Sequence, residues 1–199
     1  SCVCSSSMAR CYSVLVTKRQ MPHAQSLPRL WLISDARNDA GLEQALVRLP
    51  RGSGFIFRHY HLPPAARRAR FAVLARLCRS FGHVAVWSGP ARAARAMGAD
   101  GCYGPTRLIR PGPALLRLAT AHSLREIRLA TRADAVLLSP VFPTRSHPGA
   151  KVLGPVRFRE IARQARLPVI ALGGMTPHSA RRLAGFTWAA IDGLVRKAG

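Results

Sequence analysis

The stretch Asp134–His147 reads DAVLLSPVFPTRSH, and Pro168–Met175, further along the chain, reads PVIALGGM. In each stretch a continuous apolar run stops abruptly at small or polar residues. Such a run is typical of a strand that is buried on both faces, as in a parallel sheet. The residues after it then form loops at the carboxyl end of the strand, where α/β proteins place their chemistry. A pair such as Gly173-Gly174 at this end lets backbone amides approach an anion closely.

The same pattern continues outward from these two stretches, as apolar runs alternate with helical patterns from Arg29 onward. The predicted strands are Leu30–Ser34, Gly54–Tyr60, His83–Trp87, Gly101–Tyr103, Leu115–Ala121, Ala135–Val141, Val169–Leu172 and Trp188–Ile191. The predicted helices are Asp39–Leu49, Pro63–Ser80, Ala91–Met97, Leu124–Thr131, Pro155–Ala165 and Pro177–Ala184. These strand-then-helix units predict a compact (β/α)8 TIM barrel, and a flavodoxin-like open sheet is the alternative.

The domain organisation is expected to be simple. Residues 1–28 are expected to form a tail outside the fold, and residues 29–199 a single barrel domain. The segment Thr106–Pro113 holds two prolines and a glycine where a fourth helix would lie. Because proline and glycine disfavour helix interiors, this helix is predicted to be reduced or absent.

Composition narrows the class of protein. The chain has 199 residues, of which 48% are hydrophobic, as in an ordinary soluble domain. No apolar run approaches the roughly 20 residues of a membrane-spanning helix, so a cytoplasmic protein without membrane contact is expected. The five cysteines show no zinc-ligand spacing and no even framework of disulfides.

The net charge of +23 comes almost entirely from arginine. Dispersed arginines, as in the segments 67–79 and 157–166, favour solvated outer faces of helices. A small anionic ligand and a nucleic acid are the other interpretations. The last is the least favoured, because no RNP, zinc-finger or helix-turn-helix pattern accompanies the charge.

From about Leu30 to Leu194 the chain resembles the thiamine phosphate synthase/TenI family. The resemblance is strongest at ADAVLLSPVFPT and PVIALGGMTP, and fair at LWLISD, GADG and AHSLRE. Members of this family are compact (β/α)8 barrels of thiamine biosynthesis. The resemblance therefore implies the same barrel and a small phosphorylated heterocycle as the binding partner, and it leaves self-association open.

The resemblance also implies a site for the thiazole phosphate. The family's Thr-x-Thr pattern corresponds to Thr144-Arg145-Ser146, which keeps a hydroxyl at both ends, and His147 stands where the synthases carry a lysine. Gly173 and Gly174 match the phosphate-binding diglycine. After the last strand, Asp192 and Gly193 occupy the place of a further phosphate contact, where a carboxylate would repel the phosphate unless it pointed away.

Most of the residues that bind pyrophosphate and its metal ion in the family are absent from this chain. The synthases hold Mg²⁺ with carboxylates after strands three and four, and this chain has none there. Of the strand-two motif only Arg58 remains as a substrate contact. No metal or other cofactor is therefore expected. The exception is Mg²⁺, which would be needed if the chain retained synthase activity.

TenI-type members catalyse a proton transfer that isomerises a thiazole carboxylate phosphate. The resemblance implies that His122 is the acid/base group, with Thr120 of the same strand contacting the substrate. Histidine is suited to this role because it exchanges protons near neutral pH. A purely structural His122 is the competing interpretation. The expected function is thus a TenI-like isomerase; the alternatives are an active thiamine phosphate synthase and an inactive barrel whose basic surface binds nucleic acid or protein.

Side chains of a strand point alternately to its two sides, so the predicted second strand divides four further residues between the interior and the exterior of the barrel. If Arg58 points to the barrel interior, Tyr60 does too, and His59 and His61 point outward as structural residues. Trp31 and Trp87, each within a strand, are expected to belong to the core rather than to stack on a ligand.

Overall fold

Eight parallel strands pair in chain order and close into a barrel, because the last strand also pairs with the first. They are β1 (Leu30–Ile33), β2 (Gly54–Phe57), β3 (Val84–Ser88), β4 (Gly101–Gly104), β5 (Leu116–Ala121), β6 (Ala135–Leu138), β7 (Val169–Ala171) and β8 (Thr187–Ala190). This computed structural model describes residues 27–146, 149 and 151–195. The predicted single-domain (β/α)8 TIM barrel is confirmed, and the open-sheet alternative is wrong.

Helices connect the strands on the outside of the barrel. They are α1 (Leu42–Arg48), α2 (Pro64–Ser80), α3 (Ala91–Ala96), α4 (Thr106–Ile109), α5 (Leu124–Leu129), α6 (Gly154–Gln164) and α7 (Pro177–Arg181). A 3-10 helix, Ala36–Gly41, precedes α1, and Asp35 caps it by accepting a hydrogen bond from the backbone N–H of Arg37. The predicted helix over residues 39–49 is therefore divided between this 3-10 helix and α1.

The second strand ends earlier than its sequence pattern predicts. A strand was expected to continue through Tyr60, but pairing stops at Phe57. Beyond it His59 adopts a φ of 20°, and its buried ring lies 2.8 Å from both Ser34 Oγ and Asp39 Oδ1. The chain leaves the sheet to bury this imidazole, so Tyr60 belongs to a loop at the barrel mouth.

Alternate strand residues form two apolar layers. Side chains of the inner layer fill the barrel, and they include Trp31, Ile33, Ile56, Val86, Tyr103, Leu118, Leu137 and Ile170. Those of the outer layer pack against the helices, and they include Phe55, Phe57 and Trp87, the last two in contact with Phe71 of α2. Trp31 and Trp87 are both buried, which confirms them as core residues. Because the interior is filled, a ligand can be accommodated at an end of the barrel rather than through it.

The fourth helix is short, and a buried arginine stabilises the segment that follows it. The one-turn α4 confirms that this helix is reduced, and the segment after it has no regular structure until β5. From β5 the buried Arg117 guanidinium donates hydrogen bonds to the carbonyls of Ile109, Gly112 and Pro113 at 2.8–3.1 Å. These carbonyls would otherwise be partly buried without partners. Arg117 therefore holds the segment against the barrel where helix packing is missing.

Replacing Arg117 by methionine should lower the free energy of unfolding by about 2–4 kcal/mol, because several carbonyls lose charged donors that methionine cannot replace. Denaturant titration would measure the loss. Arg107→Met is the matched control, because Arg107 is exposed in the same segment, and it should change stability by about 0.5 kcal/mol or less. Equal stabilities for the two variants would contradict the role of Arg117.

The arginines of α2 largely follow the solvated faces expected of them. Arg68, Arg76 and Arg79 are exposed. Arg67 and Arg70 are instead ordered against the protein. The Arg67 guanidinium lies 4.0 Å from the Trp87 ring centroid, whereas Arg70 pairs with Asp39 of the 3-10 helix and Glu43 of α1. Part of the positive charge is therefore structural.

The region before β1 is described only at its end. Most of the expected tail, residues 1–26, lies outside the described residues. Leu27 packs against the inner layer, and the Pro28 carbonyl accepts a hydrogen bond of 2.7 Å from Trp31 Nε1. Across the described part of the chain, no helix is both long and apolar enough to cross a membrane.

Candidate functional site

Two adjoining cavities open at the carboxyl ends of the strands. The first has a volume of about 360 Å³ and lies beside the loops after β6, β7 and β8. The second has a volume of about 250 Å³ and lies beside the loops after β2, β4, β5 and β6. Five residues line both cavities: Thr144, Ser146, Leu172, Gly173 and Ile191. The two cavities are therefore parts of one continuous site.

The predicted site residues come together at this mouth. Those lining the first cavity are Thr144, Ser146, Gly173, Gly174, Asp192 and Gly193. The second is lined by Arg58, Thr120 and His122, together with the shared residues. His147 lies outside the described residues. The two predicted halves, one for a phosphate and one for proton transfer, thus occupy neighbouring cavities.

The diglycine after β7 is shaped by close backbone contact. Gly173 and Gly174 have φ values of 94° and 62°, which residues with a side chain rarely adopt. A Cβ atom on Gly174 would lie 2.4 Å from the carbonyl oxygen of Pro143 in the loop after β6. Neither glycine amide donates a hydrogen bond to another described residue. Two backbone donors at the edge of the first cavity are therefore available to an anion.

The loop after β6 brings two hydroxyls to the same cavity. Thr144 and Ser146 are both half-buried, and the Ser146 amide donates to Thr144 Oγ1 at 3.3 Å. This local bond orders the loop between the two residues. Hydroxyls are versatile partners for phosphate oxygens, since each can donate a hydrogen bond.

Arg37 joins three loops around the first cavity. Its Nε donates to Asp35 Oδ1 at 2.7 Å, and its two other nitrogens reach Ser146 Oγ at 2.9 Å and Asp192 Oδ2 at 3.6 Å. The Asp192 carboxylate, expected to repel a phosphate, thus has a cationic partner. No sequence pattern identified Arg37. Its position two residues after an acid at the end of β1 is the only available signal.

Contacts between Asp35 and Arg37 stabilise the ionised form of each side chain. Partial burial opposes ionisation of Asp35, but hydrogen bonds and positive charge from Arg37, with the charge of Arg58, hold the pKa of Asp35 below its usual value. The hydrogen bond to Asp35 in turn raises the pKa of Arg37. The bridge is therefore an ion pair at neutral pH.

His122 is oriented by a backbone carbonyl. Its Nδ1 lies 2.8 Å from the carbonyl oxygen of Ser139, at the end of β6. Because a carbonyl can only accept, Nδ1 carries the proton, and in the neutral ring Nε2 has a free lone pair. The ring is exposed and lines the second cavity. The hydrogen bond to Ser139 therefore fixes the orientation of the ring and leaves Nε2 available to exchange a proton with a ligand.

Arg58 and Tyr60 form another wall of the second cavity. Arg58 is half-buried, with its Nη2 3.8 Å from Asp35 Oδ2, and its guanidinium lies 5.8 Å from the Tyr60 ring centroid. The Tyr60 hydroxyl is hydrogen-bonded to Ser88 Oγ. As alternation predicted, Arg58 and Tyr60 share one side, although both lie beyond the strand.

Tyr103 on β4 also lines the second cavity, although no sequence pattern predicted it as a site residue. The residue is only 6% exposed, and its phenol makes no hydrogen bond to any described residue. Burial raises the pKa of Tyr103 to about 12, so the phenol is protonated at neutral pH. The sequence places Tyr103 in a predicted strand, and nothing in the local pattern shows that this residue lines a cavity.

His59 is a structural residue, as the alternation argument predicted. Its ring stacks on Phe57 with centroids 4.6 Å apart and is hydrogen-bonded at both nitrogens. Burial lowers the pKa of His59, although the hydrogen bond and charge of Asp39 oppose this effect. The imidazole therefore joins β1, β2 and the 3-10 helix and is absent from both cavities.

Carboxylates at the mouth offer little to a metal ion. Asp35 and Asp192 lie at the ends of β1 and β8, and both are in contact with Arg37. Within the described ranges, no three His, Cys, Asp or Glu side chains are grouped as metal ligands. A Mg²⁺ ion prefers several unpaired oxygen ligands, so these residues fit such a site poorly.

Known proteins resemble this chain across most of its barrel. Residues 30–193 match the family described as thiamine monophosphate synthase. The thiamine-phosphate synthase of Laribacter hongkongensis is 34% identical over 113 residues, which are 52% of this chain and 54% of that protein. That of Geobacillus thermodenitrificans is 32% identical over 54% of this chain and 53% of that protein. The chain thus spans about half the length of these relatives.

Solved structures show the same architecture. A thiamine phosphate pyrophosphorylase from Pyrococcus furiosus superposes with a TM-score of 0.68 at 26% identity, covering 81% of this chain and 84% of that one. Its counterpart from Bacteroides thetaiotaomicron has a TM-score of 0.57 at 16% identity over 81% of each chain, which supports the fold alone. With the family match over Leu30–Gly193, these comparisons show that the chain belongs to the thiamine monophosphate synthase/TenI family.

Proposed function

We propose that this protein is a TenI-like isomerase that binds a phosphorylated thiazole and moves a proton within it. One observation carries the proposal. The Ser139 carbonyl fixes Nδ1 of His122 as a donor, which leaves Nε2 as a base in a cavity directly adjoining one suited to phosphate. A substrate that spans both cavities would bring its ring to the imidazole.

The phosphate is proposed to occupy the first cavity. The free amides of Gly173 and Gly174 and the hydroxyls of Thr144 and Ser146 supply neutral donors. Arg37 supplies positive charge from the rim and offsets the carboxylate of Asp192. Such a combination of backbone amides, hydroxyls and a guanidinium is a common arrangement for phosphate binding.

Proton transfer is proposed to need only His122. Nε2 accepts a proton from an acidic carbon of the heterocycle, and the electron pair of that C–H bond moves into the conjugated system. The resulting imidazolium then returns the proton to a different carbon of the same molecule. Isomerisation is therefore complete with no atom gained or lost and no redox change.

Synthesis of thiamine phosphate is the second candidate, because the relatives at 32–34% identity are thiamine-phosphate synthases. Departure of pyrophosphate creates negative charge that a cation must neutralise. In the second cavity Arg58 is the cationic residue, and the nearby Asp35 carboxylate is already paired. This arrangement favours proton transfer over pyrophosphate release.

Turnover assays on the purified protein distinguish the two candidates. The protein is incubated with the non-aromatic tautomer of a thiazole carboxylate phosphate, and NMR follows formation of the aromatic isomer. A parallel reaction contains the pyrimidine pyrophosphate, thiazole phosphate and Mg²⁺, and is analysed for thiamine phosphate. Catalysed isomerisation without synthesis is expected. Synthesis without isomerisation would reverse the assignment.

A further inference from the structure

We propose that Arg67 of α2 is a positioning residue, which holds Arg58 in the wall of the second cavity without contacting the ligand itself. The proposal rests on the proposed function, since it concerns the orientation of the ring on which His122 would act. Arg67 lines neither cavity, and no sequence pattern distinguishes it from the other arginines of α2. The proposal therefore adds a residue outside the site to those on which turnover depends.

The backbone of Arg58 is held at both of its polar groups by side chains from other elements. Strand pairing ends at Phe57, so Arg58 has no partner in the sheet. Its N–H donates to Ser34 Oγ at 2.8 Å, and its carbonyl oxygen accepts from Arg67 Nε at 3.2 Å. No backbone amide of the described chain donates to this carbonyl. Arg67 therefore supplies a hydrogen bond that a longer strand would have made.

The same guanidinium reaches the end of the next strand. Arg67 Nη2 donates to the Ser88 carbonyl at 2.7 Å, while the face of the group lies over the Trp87 ring, 4.0 Å from its centroid. Arginine can make these contacts together because its donors are fixed in one plane and that plane packs on an aromatic ring. Lysine, with one nitrogen at the end of a flexible chain, does not reproduce this arrangement. Arg67 thus joins the loops after β2 and β3.

Tyr60 connects this anchor to the cavity. Its ring centroid lies 5.2 Å from the Arg67 guanidinium and 5.8 Å from that of Arg58, and its hydroxyl is hydrogen-bonded to Ser88 Oγ. Arg58 and Tyr60 both line the second cavity. Removal of the Arg67 guanidinium would therefore release two residues of the cavity wall together.

The surroundings of Arg67 favour a positional role over charge neutralisation. Within the described ranges its guanidinium forms no salt bridge, whereas Arg70, three residues further along α2, pairs with Asp39 and Glu43. Burial lowers the pKa of Arg67, although the charge of Tyr60 opposes this effect. Partial burial of a cation without an anionic partner is costly. An apolar side chain would avoid that cost, but it would leave the Arg58 carbonyl without its donor.

Turnover of the phosphorylated thiazole by two variants tests this role. Arg67→Met keeps most of the side-chain length and removes both donors, whereas Arg67→Lys also keeps the charge. Each should lower kcat for isomerisation by at least about tenfold, because a small displacement of the cavity wall disturbs the alignment of the ring with the imidazole. KM should change by less than about threefold, since the first cavity is proposed to hold the phosphate. Wild-type kcat in Arg67→Lys would overturn the proposal, because charge alone would then suffice.

A double-mutant cycle identifies the residue through which Arg67 acts. Arg58→Met should itself lower kcat by at least about tenfold. In this background the positioned guanidinium is already absent, so Arg67→Met should lower kcat by a further factor of less than about threefold. Equal losses on replacing Arg67 in the two backgrounds would show that it does not act through Arg58, and would overturn the positioning role while leaving the proposed function intact.

Two controls separate positioning from the general effects of losing an arginine. Arg68→Met removes the exposed neighbour on α2, which lines neither cavity, and should leave kcat unchanged. Arg117→Met, expected to be less stable, also lies outside both cavities and should keep the wild-type kcat while it remains folded. The same loss of kcat in Arg117→Met as in Arg67→Met would overturn the positioning role. A wild-type protein without isomerase activity would overturn this role and the proposed function together.

Discussion

Replacing His122 by glutamine should lower kcat for isomerisation by about 10²–10⁴-fold, the usual contribution of a positioned general acid/base. Glutamine has an amide group of similar polarity but does not reproduce the position of Nδ1, which lies 2.8 Å from the Ser139 carbonyl oxygen. It has no lone pair that exchanges protons near neutral pH. Binding of the phosphorylated thiazole, measured by calorimetry, should change little because the first cavity, and not His122, is proposed to hold the phosphate.

His178→Gln provides the matched control, since His178 is exposed on α7 and lines neither cavity. Its kcat should equal that of the wild-type protein. A His122→Gln protein with unchanged turnover would show that another group carries the proton. His122 would then be a residue that only joins the loops after β5 and β6.

Replacing Gly174 by alanine should weaken binding of the phosphorylated thiazole by at least about tenfold and lower the free energy of unfolding by about 2–4 kcal/mol. Two costs contribute. Alanine is strained at a φ of 62°, and its Cβ would lie 2.4 Å from the Pro143 carbonyl oxygen. Relief of this contact would move the loop that carries Thr144 and Ser146, whose hydroxyls are proposed to bind the phosphate.

A second glycine separates these two costs. Gly98 has a φ of 64°, close to that of Gly174, and a Cβ there would meet nothing within 4 Å. Gly98→Ala should therefore show only the backbone strain of about 1–2 kcal/mol, with unchanged ligand binding. Denaturant titration and calorimetry on both variants would check this. Equal effects on binding would mean that the contact with Pro143 is unimportant.

The barrel was predictable because its strands are buried on both sides. Runs such as Ala135–Leu138 and Val169–Ala171 read as continuous apolar segments, which distinguishes a parallel sheet from a solvent-exposed one. Their polar ends then fall at the same rim, which explains why Thr144 and Gly174 came together as predicted. Proline and glycine likewise marked the reduced fourth helix.

What escaped prediction depends on long-range contacts. The end of β2 is decided by the burial of His59 against Ser34 and Asp39, which lie 25 and 20 residues away along the chain and therefore do not appear in a local pattern. Arg37 is one of many arginines until the fold brings it to Ser146, which is 109 residues away. The direction of a side chain within a short strand likewise places Tyr103 at the second cavity.

Arg37 connects Asp35, at the end of β1, to Ser146 in the loop after β6. The pKa of Asp35 is lowered in the folded protein. The stability that its ionised carboxylate contributes is therefore fully present above the ordinary pKa of aspartate. This stability is lost as the pH falls through the lowered pKa of Asp35 in the folded protein. If protonation of Asp35 weakens the contact between Arg37 and Ser146, then by thermodynamic linkage a ligand that strengthens this contact makes Asp35 harder to protonate by the same free energy. The β6 loop is thus ordered in advance across the neutral pH range, and acid would loosen it from the side of β1.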